Sequence, residues 1–209
     1  MKYYSLNRTA APVDFRTATL QGQAPDRGLY FPESIPHWRP GFLQEAVQMS
    51  AADMGTEVMA PYVAGSIPED ILHRIVEETL SFPVPLVRIT EDISALELFH
   101  GPTLAFKDVG ARFMSRCLGY FAGKDMGRVV VLVATSGDTG GAVAHGFHHV
   151  PGVDVVILYP SGKVSPVQEK QLTALGGNIH ALEVQGTFDD CQRMVKDAFA
   201  DKALTDQLF

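Results

Sequence analysis

Six consecutive apolar residues, Val129-Val130-Val131-Leu132-Val133-Ala134, run directly into Thr135-Ser136-Gly137-Asp138-Thr139-Gly140-Gly141. An unbroken run rich in β-branched residues suits a strand covered on both faces, which is the condition of a parallel sheet packed between helices. The small and hydroxyl-bearing residues after it suit a tight turn into a helix. Further strand-like runs lie at 86–89, 96–99, 154–159 and 179–185, and the apolar run itself extends over 128–135. Helical patterns at 106–121, 139–148, 166–175 and 189–199 alternate with them. Such alternation predicts an α/β architecture, a parallel sheet with flanking helices. Ligands of these sheets sit beyond the carboxyl ends of the strands. The Thr135 segment, and Lys107 downstream of the 96–99 run, are both expected at such ends.

The chain reads differently before residue 80. The stretch 28–36 is turn-rich, and the surrounding text is irregular and mostly helical. Ser66-Ile67-Pro68-Glu69 reads as a capping box with proline in the first turn. Ile71, Leu72, Ile75, Val76 and Leu80 follow at helical spacing, which predicts one buried face. Residues 1–80 are therefore expected to form a small, mainly helical N-terminal domain, and 81–209 the α/β domain, with the proline-containing stretch 81–85 as connector. Ser165-Pro166-Val167-Gln168 is a second capping-box signature.

Composition narrows the function classes. The 209 residues are 46% hydrophobic and 20% charged, enough to bury a core. The formal net charge is -7, and no basic stripe interleaved with aromatics occurs, which argues against nucleic acid as a partner. The apolar runs are too short to span a bilayer, and the N-terminus lacks the apolar centre of a signal peptide, so no membrane association is expected. Cys117 and Cys191 stand far apart in helical surroundings and read as reduced packing residues of a cytoplasmic protein.

Lys107 closes the segment His100-Gly101-Pro102-Thr103-Leu104-Ala105-Phe106-Lys107 and precedes Asp108. A Gly-Pro turn and a capping threonine before a helical pattern place its amine in a first helical turn. The partial positive charge there, and apolar neighbours, favour a neutral amine. A neutral amine can form a Schiff base with an aldehyde cofactor. The alternative is a solvated lysine, with Asp108 complementing the helix start or pairing with Arg112. In the Thr135 segment, exposed backbone N–H groups can cradle a carboxylate or phosphate, and glycine allows close approach. It is not a P-loop, since no lysine follows the glycines. Its alternative is a plain strand-to-helix turn capped by Ser136 or Asp138. His145 and His149 share a helix face but lack an intervening glutamate, so they read as polar helix residues and no metal is expected. Lys163 and Ser165 read as an exposed lysine and a helix cap, and more weakly as phosphate contacts.

Together these segments resemble the threonine synthase family. His100 to Asp108 is similar to that family's cofactor-lysine segment, and Thr135 to Gly140 to its substrate and cofactor loop. Thr17-Ala18-Thr19-Leu20-Gln21-Gly22 and Asp26-Arg27-Gly28-Leu29-Tyr30-Phe31-Pro32 resemble its N-terminal domain. The stretches 159–170 and 175–179 extend the likeness along the chain. The resemblance implies a fold-type II pyridoxal 5'-phosphate enzyme, related to tryptophan synthase β, that converts O-phospho-L-homoserine and water to L-threonine and phosphate. Lys107 would then hold the cofactor and shuttle protons. Thr135, Ser136, Gly137, Asp138 and Thr139 would form the substrate-carboxylate loop, with Asp138 also facing the cofactor. Members of the family continue for about as long again beyond the position of Phe209. That further half carries the glycine-rich loop on the cofactor phosphate, the group at the pyridine nitrogen and much of the substrate-phosphate site. The resemblance thus implies an N-terminal portion with little activity by itself. An open sheet edge and apolar surface make its self-association an expectation. Two other readings remain at this point: a related phospho-lyase with a different phosphorylated substrate, and a non-catalytic binding or assembly module on the same fold.

Overall fold

The structure, a computed structural model, describes residues 1–125 and 128–204. The last residues of the expected second domain, 205–209, lie outside the described residues. The chain divides into two compact units, Met1–Ser81 and the residues from Phe82 onward.

In the first unit, strand β1 (Tyr3–Ser5) pairs antiparallel with β2 (Tyr30–Pro32). Helices α1 (Phe15–Gln21), α2 (Phe42–Ala46), α3 (Ala51–Val63) and α4 (Glu69–Thr79) are the other regular elements of this unit. The expected apolar face of α4 exists: Leu72, Ile75 and Val76 are buried. Val76 approaches α3 at Gly55, where an added Cβ would lie 2.7 Å from the valine methyl. The turn-rich stretch contains β2, a strand the sequence did not reveal. Its loop is tied down by Asp26, whose carboxylate accepts from the hydroxyls of Ser5 (2.6 Å) and Thr9 (2.9 Å) and from the N–H groups of Thr9, Ala10 and Gly28. These bonds hold the Asp26 carboxyl well below the usual carboxylate range. The expected Ser66 capping box does not form. Helix α4 starts at Glu69 with Pro68 as N-cap, and the Ser66 hydroxyl accepts from the Arg16 N–H instead (3.4 Å). Proline disfavours helical geometry in the residue before it, so Ile67 cannot open the helix.

In the second unit, β3 (Leu86–Arg88) and β4 (Ser94–Leu96) form an antiparallel hairpin. Helix α5 (Lys107–Asp125) follows, then β5 (Val129–Ala134), α6 (Asp138–Phe147), β6 (Val153–Pro160), α7 (Pro166–Thr173), β7 (Ile179–Val184) and α8 (Phe188–Ala200). Strands β5, β6 and β7 form the expected parallel sheet, with β6 in the middle. Val155 and Ile157 of β6 are fully buried. The α/β expectation holds for these three strands but not for the first two. The connection 89–93 between β3 and β4 is too short for a crossover, so these strands turn back on each other. The Arg88 side chain closes that turn by donating to the carbonyls of Thr90 and Glu91 (both 3.0 Å). Lys107 therefore does not follow a strand of the parallel sheet.

Helix α6 is nearly all buried, from Gly140 to Phe147. Its Gly146 lies against the Ala111 backbone of α5, where a Cβ would meet the Ala111 carbonyl carbon at 3.2 Å. Asn178 ties the α6–β6 turn to β7. Its amide donates to the Phe147 and Val153 carbonyls (2.9 and 2.8 Å) and accepts from the His149 N–H (2.9 Å). Cys117 and Cys191 are fully buried free thiols, as packing residues should be. Among the described residues, no helix is long and apolar enough to cross a membrane, and no group of three or more His, Cys, Asp or Glu could hold a metal ion.

Candidate active site

Lys107 is the first residue of α5, and the turn before it is built around Asp108. The Asp108 carboxylate is buried and accepts from the Thr103 N–H (2.9 Å) and the Thr103 hydroxyl (2.6 Å). The expected capping threonine thus works in reverse: an aspartate inside the helix reaches back and holds the threonine. Leu104 takes a left-handed φ of 59°, which lets the turn close. Gly101 leaves room for the carboxylate, since a Cβ there would lie 2.5 Å from an Asp108 oxygen. The result aims Lys107 outward. Its Nζ lies 4.3 Å from the centroid of the Phe106 ring and 3.6 Å from Asp138 Oδ2.

Asp138 opens α6 at the carboxyl end of β5. Gly137, not Ser136 or Asp138, is the N-cap, with φ 143° and ψ -92°, a conformation that side chains rarely adopt. The Asp138 carboxylate is therefore free to face Lys107 instead of capping its own helix. Thr135 is buried, and its hydroxyl accepts from the N–H groups of Gly137 (3.0 Å) and Gly140 (2.8 Å). Its own N–H donates to the Leu158 carbonyl of β6 (3.0 Å). The loop is thus stitched to the sheet from below. Ser136, Asp138 and Thr139 are exposed on its outer side. The N–H groups of Asp138 and Thr139 begin the helix without acceptors among the described residues, as first-turn donors do.

The second capping box forms as expected. The Ser165 hydroxyl accepts from the Gln168 N–H (3.4 Å), and the Gln168 side-chain oxygen Oε1 accepts from the Ser165 N–H (3.3 Å). The Gln168 amide also donates to Asp138 Oδ1. One turn on, Gln171 reaches toward the Thr103 carbonyl (3.5 Å). Ser165 is a helix cap and Lys163 is exposed. His100 pairs with Glu97 (2.7 Å) and tilts against Phe99.

The structure brings Lys107 and Asp138 into contact and sets Ser136, Gly137 and Thr139 beside them on one loop, with Thr135 beneath. Sequence reasoning did not foresee the parts played by Asp108 and Gln168. Gln168 carried a signal, its place in the capping box, but nothing in the sequence said that the far end of its amide meets Asp138. The donor set suits an aldehyde cofactor and an amino-acid substrate. One amine is held at a helix start, and two backbone donors at a second helix start can receive an anion.

Residues 83–207 match the family described as pyridoxal-phosphate dependent enzyme, and residues 2–80 match the threonine synthase N terminus. The chain belongs to the pyridoxal-phosphate dependent enzymes. Within them its similarity runs to the threonine synthases, as the motifs implied. It is 44% identical to the threonine synthase of Serratia marcescens over 208 residues, covering 100% of this chain and 48% of that one. With the threonine synthase of Escherichia coli (strain K12) it shares 44% identity over 204 residues, 98% of this chain and 47% of the relative. The solved Escherichia coli threonine synthase superposes with a TM-score of 0.90 at 43% identity, covering 100% of this chain and 48% of that one. The PLP-bound threonine synthase of Brucella melitensis superposes with a TM-score of 0.92 at 39% identity, covering 100% and 46%. The chain spans about half the length of the relatives it matches.

Proposed function

We propose that this chain supplies the cofactor-lysine half of a threonine synthase, a lyase acting on O-phospho-L-homoserine and water to give L-threonine and phosphate. The observation that carries the reading is the meeting of Lys107 with the Thr135–Thr139 loop, two segments distant in sequence, at 3.6 Å between Nζ and Asp138 Oδ2. Lys107 is the attachment point of pyridoxal 5'-phosphate and, once released, takes and returns protons at Nζ. The Ser136 hydroxyl and the Asp138 and Thr139 N–H groups receive the substrate carboxylate at the start of α6. Gly137 lets the substrate approach the backbone, and Asp138 orients the amine and faces the cofactor. Thr135 acts from beneath, by holding the loop. When bound, the cofactor would supply the electron sink that proton removal at the amino-bearing carbon and at its neighbour requires. Its phosphate grip is expected from residues like those in the further half of the relatives, so residues 1–209 alone should turn over little.

The domain division at residue 80 fits this reading, with 1–80 the threonine-synthase-like N-terminal domain and 81–209 part of the catalytic one. The buried free thiols support a reducing compartment, the cytoplasm. Leu86, Ile93, Leu96, Phe99, Leu104 and Phe106 are each at least 50% exposed, which supports self-association of the 209-residue chain. The test is borohydride reduction after addition of pyridoxal 5'-phosphate, followed by peptide mapping. The label belongs on Lys107; a label on another lysine in the folded chain overturns the reading.

A further inference from the structure

We infer that Gln168 is a positioning residue that sets the Asp138 carboxylate against Lys107. The inference deepens the proposed function and rests on it for its meaning, while its geometry joins α7 to the starts of α5 and α6.

The capping box fixes which way the Gln168 amide points. Its carbonyl oxygen accepts twice from Ser165, from the N–H at 3.3 Å and from the hydroxyl at 2.9 Å. An amide whose oxygen is committed in this way must present its nitrogen on the other side. That nitrogen donates to Asp138 Oδ1, which leaves Oδ2 toward Lys107 Nζ at 3.6 Å. The path of the amide runs over Gly137: a Cβ at that residue would lie 2.6 Å from the Gln168 amide carbon and oxygen. The missing side chain at residue 137 therefore serves the glutamine as well as the backbone turn. Asp138 is otherwise an exposed carboxylate on a first helical turn, free to choose solvent over the lysine. A single neutral donor on its far oxygen removes that freedom without competing for the lysine's charge. Helix capping and site geometry thus share one side chain.

The test reads the amine directly and needs no cofactor. The full chain is acetylated with a limiting acyl donor at fixed pH, and the rate at Lys107 is followed by mass spectrometry, with the exposed Lys163 as internal reference. Gln168→Leu releases the carboxylate, and the Lys107 rate rises about two- to fivefold, the range of a partly exposed ion pair. Asp138→Asn gives the same rise. The double variant gives no further rise, because the glutamine acts through the aspartate. Ser165→Ala removes the hydroxyl that holds the Gln168 amide oxygen and keeps only the backbone N–H on it, so its Lys107 rate lies between the parent and Gln168→Leu. Additive effects of Gln168→Leu and Asp138→Asn, or an unchanged rate in Gln168→Leu, overturn the inference. Borohydride labelling away from Lys107 would defeat the proposed function and leave this coupling standing, so the two failures are distinguishable.

Discussion

Thr135→Val removes one hydroxyl and keeps the shape of the side chain. In the structure that hydroxyl is the acceptor for two N–H groups, Gly137 at 3.0 Å and Gly140 at 2.8 Å, and both glycines are buried. Each buried donor left without an acceptor costs roughly 1–3 kcal/mol. Relaxation of the turn recovers part of this loss, so the sum is about 2–4 kcal/mol. The loss is local, since both donors belong to the turn between β5 and α6. Hydrogen exchange of peptides covering 135–147, read by mass spectrometry, measures it. At tenfold per 1.4 kcal/mol, protection in the Val variant falls by about 30- to 700-fold. Thr135→Ser keeps the hydroxyl and loses only the methyl packed near Gly140, a change of about 0.8 kcal/mol or under tenfold. A Val variant within threefold of the parent, or a Ser variant as unprotected as the Val variant, refutes the account of how the loop is held.

Asp108→Ala leaves the Thr103 N–H and hydroxyl without their buried acceptor and should destabilise the chain by about 2–4 kcal/mol, seen as a lower urea midpoint at unchanged slope. Arg128→Met tests a pH dependence. The Arg128 guanidinium bonds Asp154 and, with His180 nearby, holds its carboxyl below the ordinary range, so the stability it contributes is full above the unfolded carboxyl value and is lost as pH falls through the lower folded value. The melting temperature of Arg128→Met should therefore lie below the parent at pH 7, and in calorimetry the gap should begin to close below about pH 4 and shrink further as pH falls through the lower folded value; a constant gap overturns the assignment. Burial pushes the Cys117 thiol up to about 12 and raises Cys191 as well, so neither should react with iodoacetamide in the native chain at pH 8, while intact mass shows both alkylated in denaturant.

Much of the second unit could be read from the sequence because its signals are local. The apolar run of β5, the helical pattern of α6 and the Ser165 capping box each depend on neighbours within a turn or a strand, and each appears where the pattern put it. The differences arise where a connection, a neighbour or a proline that the motif does not weigh decides the outcome. The 86–89 and 96–99 runs have strand composition, yet whether they join a parallel sheet depends on the length of what connects them. Ser66 has the spacing of a capping residue, but Pro68 forbids the helical start that the motif needs. Thr103 has the chemistry of a cap, and Asp108, five residues on, takes both of its donors. Lys107 itself was legible because its neighbours restrict it, whereas its contact with Asp138 spans two helix starts that no local pattern connects.

The two helix starts are held by opposite devices, and the difference bears on how such a site can work. At α5 a buried carboxylate reaches backward to fix the turn, so the lysine beside it is free of any duty to the fold. At α6 a buried hydroxyl fixes the turn from below, so Ser136, Asp138 and Thr139 are likewise free. The groups that carry stability are 1% exposed in both cases, while the Lys107 and Asp138 side chains are 29% and 54% exposed. This separation is what a lysine that must exchange partners requires: it can leave Asp138 for a ligand without unpicking either turn. The Gln168 amide is a tie that crosses from fold to reacting surface: it is anchored by the cap of α7 and ends on Asp138. A carboxylate held on one oxygen and left open on the other can keep the amine oriented between encounters and still yield it when a ligand arrives.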